Sequence, residues 1–89
     1  MLAKIKVYGL VQGVNFRYYV FRNAKLLNLK GIVKNCEDGS LEIIAQGEED
    51  KIKSLLKQVK IGPPHAHIDK IEVDFKNITS KFKDFEIQY

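Results

Sequence analysis

The stretch Gly9-Leu10-Val11-Gln12-Gly13-Val14-Asn15-Phe16-Arg17 joins an alternating apolar strand to a helix and ends on a cation. Glycines at 9 and 13 let the chain turn with positive φ and bring successive amides to one side. The following helix adds its own amino-terminal amides and dipole. Such a hollow fits phosphate or carboxylate. Arg17 falls in the first helical turn, where its planar fork can give two parallel, charge-assisted bonds to phosphoryl oxygens. On spacing alone, an ordinary strand-to-helix turn with Arg17 in solvent fits as well. The stretch is not a Walker loop, because no Lys-Ser/Thr pair follows the second glycine. It also lacks the third glycine of a dinucleotide fingerprint.

The elements that must position this loop follow from periodicity. From Ala3 to Gly9, Ile5 and Val7 alternate with Lys4, Lys6 and Tyr8, the pattern of a half-buried strand. Phe16, Val20, Ala24 and Leu27 then recur at helical spacing, and Asn15 is placed to cap that helix through its side chain. The helix runs out near Asn28 to Gly31. Gly31 to Cys36 reads as a second strand, and Asp38-Gly39 turns it into a hairpin with Ser40 to Gln46. Glu48, Glu49 and Asp50 suit the start of a second helix whose buried stripe is Ile52, Leu55, Leu56 and Val59. Gly62-Pro63-Pro64 stops it. The next strand changes parity between Ala66/Ile68 and Ile71/Val73/Phe75, which predicts a bulge near Asp69-Lys70. After a polar connection from Lys76 to Lys81, Phe85, Ile87 and Tyr89 give a short last strand at a sheet edge.

Strand, helix, strand, strand, helix, strand is the split βαβ order: an α+β, ferredoxin-like βαββαβ sandwich, here with an extra C-terminal strand. Both helices then cover one face of an antiparallel sheet, and the first and second strands run parallel with the third between them. The loop after Gly9 and the residues around Asn35 therefore share one rim, roughly 10 Å apart at two strand spacings. A small ligand can reach both.

Bulk composition narrows the classes. Eighty-nine residues, 45% hydrophobic and 29% charged, fit one soluble globular domain spanning 1–89. No run approaches the roughly 18 apolar residues of a membrane span, and Met1-Leu2-Ala3-Lys4 leads into a strand without a signal-peptide core, so a cytoplasmic location is expected. The net charge of +4 suits any anion. Lys4 and Lys6 alternate with apolar residues, which reads as a solvated face. A basic nucleic-acid-binding domain stays open as a rival, although Leu41 to Gln46 lacks the aromatics of an RNA-recognition sheet. Tyr19 is placed at the core edge.

The residues Gly9-x-Val11-Gln12-Gly13-Val14-x-Phe16-Arg17, Gly31-x-Val33-Lys34-Asn35, Asp38-Gly39 and Gly62-Pro63 together resemble the acylphosphatase family over nearly the whole chain. The resemblance implies a small ferredoxin-like enzyme that hydrolyses acyl phosphates to a carboxylate and inorganic phosphate without cofactor or metal. It implies Arg17 and the amides of Gln12, Gly13, Val14, Asn15, Phe16 and Arg17 as phosphate ligands, and Asn35 as the residue that orients the attacking water. It also implies a monomer with a small-molecule substrate, and neither nucleic acid nor membrane as partner. A non-catalytic phospho-ligand module of the same fold is the alternative.

Departures from the family pattern lie around the loop: Leu10 stands where a basic residue is common, Asn15 where an aromatic or glycine is frequent, and Ile32 where an aromatic often sits. A less aromatic rim points to an altered acyl-group preference. Cys36 is the only cysteine, and no arginine stands six residues on to make it a thiol-phosphatase nucleophile, position 42 being Glu. His65 and His67, without further ligands, make a poor metal pair and are read as surface histidines.

Overall fold

Seven elements occur in the order β1 (Leu2–Leu10), α1 (Phe16–Leu26), β2 (Lys30–Asn35), β3 (Leu41–Gln46), α2 (Glu49–Ile61), β4 (His67–Lys76) and β5 (Phe85–Gln88). The computed structural model describes residues 1–78 and 82–89. The five strands form one sheet in the order β4-β1-β3-β2-β5, so the fold is ferredoxin-like α+β as the element order requires. Within the described residues no helix is long and apolar enough to cross a membrane.

The core is written in cross-strand rows. Ala3, Ala45 and Gly31 pair across β1, β3 and β2, then Ile5, Ile43 and Val33, then Val7, Leu41 and Asn35. All but Asn35 are buried. Because side chains alternate along a strand, these rows share one face. Phe16, Val20 and Ala24 of α1 and Ile52, Leu55 and Val59 of α2 join the same buried cluster, so both helices cover that face. Leu56 and Tyr19 are half-buried at its edge. The opposite face carries paired charge: Glu42 lies 3.8 Å from both Lys4 and Lys34, and Lys6 lies 3.5 Å from Asp38.

Local chemistry sets the element ends. Asn28 takes φ 60 after α1, where the Leu29 amide bonds Ala24 O at 2.9 Å and the Asn28 amide bonds Lys25 O at 3.1 Å. This is the Schellman pattern, with asparagine in the left-handed position usually given to glycine. The parity change in β4 is a bulge: Tyr8 faces Lys70 and Gly9 faces Ile68, which leaves Asp69 without a partner on β1. The expected polar connection starts one residue later than Lys76, since Lys76 belongs to β4, and residues 79–81 lie outside the described residues.

Two features go beyond the expected antiparallel sheet with an edge strand and a loop starting at Gly9. First, β5 pairs with β2 in parallel, Gly31 facing Phe85 and Lys34 facing Gln88. The C-terminal ends of β1, β2 and β5 thus lie on one rim. Second, Gly9 lies inside β1, and a Cβ there would fall 2.1 Å from His67 O, at φ +132. Its role is close strand approach at the bulge, whereas Gly13 (φ +74) turns in open space. Gly9→Ala is therefore expected to lower unfolding free energy in denaturant by about 3 kcal/mol, the upper range for forced overpacking, and Gly13→Ala by much less.

Candidate active site

The loop between β1 and α1 is held open by backbone conformation. Asn15, the residue before α1, adopts φ 65 and ψ 25, and its side chain makes no capping hydrogen bond. This corrects the expected side-chain cap: in the left-handed region the Asn15 side chain leaves the first turn uncapped. Among the described residues, the one backbone hydrogen bond from the loop to the helix is at Asn15 O, which accepts from the Tyr19 amide at 3.1 Å. Among the described residues, the amides from Gln12 to Arg17 donate to no backbone carbonyl. Free amides at a helix amino terminus attract an anion.

Gln12 ties this loop to the β2–β3 hairpin. Its Nε2 donates to Cys36 O at 2.8 Å and to Ser40 O at 3.0 Å, so both amide hydrogens are used. The hairpin is itself cross-braced, since the Cys36 amide donates to Ser40 O and the Gly39 amide to Cys36 O. Asp38 accepts from the Ser40 hydroxyl and, at 3.0 Å, from the Ser40 amide. Those bonds, with Lys6 nearby, hold the Asp38 carboxyl below its usual range. Asn35, just before the hairpin, has a buried Oδ1 with no hydrogen-bond partner among the described residues.

Arg17 is steadied from the C-terminal side. Its guanidinium donates to Gln88 O at 3.2 Å and stacks over the Tyr89 ring at 4.7 Å. The parallel β5 delivers both contacts. A cleft of about 360 Å³ opens between these groups, lined by Gly13, Asn15, Phe16, Arg17, Asn35 and Tyr89 among others. Among its described lining residues there is no Asp, Glu, His or Cys.

An acylphosphatase family model matches residues 3–87. The chain belongs to the acylphosphatase family, a family of hydrolases. It is 43% identical to an acylphosphatase of Thermotoga petrophila over 97% of this chain and 94% of that one. With an acylphosphatase of Caldivirga maquilingensis it shares 41% identity over 98% and 93%. The crystal structure of the acylphosphatase from Bacillus subtilis superposes with a TM-score of 0.96 at 40% identity, covering all of both chains.

Of the acylphosphatase-like residues read from the sequence, Gly13, Asn15, Phe16, Arg17 and Asn35 meet at one cleft, while the side chains of Gln12 and Val14 stay outside its lining. Cys36 is half-buried and contributes its carbonyl to Gln12, not its thiol to the cleft. His65 and His67 are exposed, and His67 Nε2 lies 3.1 Å from Asp69 Oδ1. Sequence reasoning missed the Gln12 side chain and the pair Gln88 and Tyr89. The loop signal concealed the first because only amides were sought there. The second needed the direction of β5, which alternation does not encode.

Removing the Gln12 clamp leaves Cys36 O and Ser40 O with their hairpin partners. Gln12→Ala is therefore expected to cost only about 1 kcal/mol in unfolding free energy, yet to speed hydrogen exchange at the Cys36 and Gly39 amides. A depressed carboxyl pKa adds stability above the unfolded value, near 3.9, and that stability disappears as pH falls through the lower folded value. Asp38→Asn should accordingly flatten the stability profile below about pH 4 in denaturant melts run at successive pH values.

Proposed function

We propose that the protein hydrolyses acyl phosphates to a carboxylate and inorganic phosphate by direct attack of water on phosphorus. The observation that carries this reading is the meeting of Arg17, Asn35 and the loop residues Gly13, Asn15 and Phe16 at one cleft, where the loop amides donate to no backbone carbonyl among the described residues. The phosphoryl oxygens take the amides of Gln12 to Arg17 and the outward N–H groups of Arg17. Gln88 O and the Tyr89 ring keep that guanidinium from swinging into solvent. Phosphoryl transfer to water asks chiefly for positioning and for charge compensation on the equatorial oxygens, and this set supplies both.

Asn35 orients the nucleophile. Its side-chain amide, on the cleft lining, holds one water with a lone pair of that water toward phosphorus. The new bond forms between water oxygen and phosphorus while the bond from phosphorus to the acyl oxygen breaks, its electron pair leaving on the carboxylate. The water proton passes to a phosphoryl oxygen. A carboxylate is a good leaving group, so the absence of an acidic side chain from the cleft lining fits the reaction. The same reading makes the protein a monomeric, cytoplasmic single-domain enzyme spanning residues 1–89, with no cofactor.

Phosphate release from benzoyl phosphate in excess chelator tests the proposal. Wild type is expected to release phosphate well above the buffer rate. Arg17→Ala should lose both binding and turnover, and Asn35→Ala should lower kcat by roughly 10² or more, the scale for one oriented transition-state group. Near-normal kcat in the Asn35 variant would remove water orientation from its role, and loss of wild-type activity with chelator would overturn the metal-free chemistry.

A further inference from the structure

A second cleft of about 380 Å³ adjoins the first and is bounded by Tyr18, Arg22 and Leu26 of α1 and by Pro63 and Pro64 after α2. Asn15 and Tyr18 line both clefts, so they stand on the threshold between them. The walls of the second cleft mix apolar groups with Asn23 and Gln58; Tyr18 is braced by stacking on Phe21 with centroids 6.3 Å apart, and Leu26 is 77% exposed. Tyr18 and Arg22 are four residues apart and share one side of α1.

Among the described residues Arg22, like Lys30, Lys51, Lys57, Lys60 and Lys83, has no carboxylate partner, and of all these cations it alone lines the second cleft. Lys4, Lys6, Lys25, Lys34, Lys53, Lys70 and Lys76 each sit within 4 Å of a carboxylate. Arg22 makes no ion pair, hydrogen bond or ring contact with any described residue. No acidic residue precedes Glu37 in the sequence, so the loop and α1 offer it no counter-charge. It therefore stands at a cleft of mixed polarity, beside Tyr18 and the prolines, with its planar fork free. Arg17 and Arg22 are separated by about 7.5 Å along the helix axis, at a rise of roughly 1.5 Å per residue.

Resting on the function proposed above, we infer that this second cleft is the acyl-group subsite and that Arg22 selects acyl phosphates whose acyl part carries a distal carboxylate. With the phosphoryl group at Arg17, the acyl body crosses Asn15 and lies on Tyr18 and the proline wall. Its far carboxylate meets the Arg22 fork, a bidentate geometry that lysine cannot reproduce. Arg22 acts on binding of the leaving group and touches no reacting atom.

Two rigid substrates of equal shape separate the inference from the reaction itself: 4-carboxybenzoyl phosphate and 4-methylbenzoyl phosphate. Wild type is expected to favour the carboxylated substrate about five- to tenfold in kcat/KM, mostly through KM, the scale of one partly exposed charge-assisted pair. Arg22→Gln should abolish that preference while changing the methyl substrate less than twofold, and Arg22→Glu should invert it. Lys25→Gln, the same charge change on the same helix, should leave the preference in place. Hydrolysis of both substrates at equal kcat/KM by wild type, or an equal loss on both in Arg22→Gln, would overturn the subsite and leave the proposed reaction standing. Hydrolysis of neither would overturn the reaction and the subsite together.

Discussion

Leu41 pairs with Val7 on one side and with Asn35 on the other, and the geometry of the site follows from that double register. An antiparallel strand inserted between β1 and β2 forces those two to run the same way, so their last residues emerge on one rim. The parallel pairing of β5 onto β2 adds a third ending, Gln88, level with Lys34. Residues far apart in sequence, Gly13 and Arg17, Asn35, and Tyr89, are thereby delivered to one cleft by backbone pairing. A slip of one residue in β3 would turn Leu41, Ile43 and Ala45 toward solvent, so the buried face and the site are specified together.

Register brings the pieces to the rim, and short polar contacts then fix them there. Gln12 spans from the loop to the hairpin with both of its amide hydrogens, and Arg17 is held by a carbonyl and a ring. Neither contact neutralises charge. A carboxylate partner on Arg17 would compete with the anion, whereas a carbonyl and an aromatic face orient the guanidinium and leave its charge for the ligand. The left-handed Asn15 works in the same direction, since an unfilled first turn keeps amides available.

Much of this was legible in the sequence, for physical reasons that vary by element. Strict alternation in Lys4 to Tyr8 and the spacing of Leu41, Ile43 and Ala45 report one buried face directly, and the parity change before Ile71 reported the bulge at Asp69. The loop and Asn35 could be put on one rim because the βαββ order fixes which strands are parallel. What stayed hidden depended on direction and on side-chain reach. Phe85 to Gln88 reads the same whether the strand runs up or down, so the meeting of Tyr89 with Arg17 was not visible. Asn15 favours a cap and tolerates the left-handed region, and the loop selected the second. Gly9 was assigned to the turn because both glycines flank it, but strand proximity to His67 claims it.

The proposed hydrolysis rests on the loop from Gln12 to Arg17 serving as the phosphate cradle. Amide-resolved NMR titration of the intact protein with inorganic phosphate, the expected product, tests it most directly. The account predicts saturable shifts concentrated at the amides of residues 12–17 and at the Arg17 side chain, with the open sheet face around Lys4 and Lys34 unchanged. Shifts spread over the surface lysines with the loop amides unmoved would contradict it.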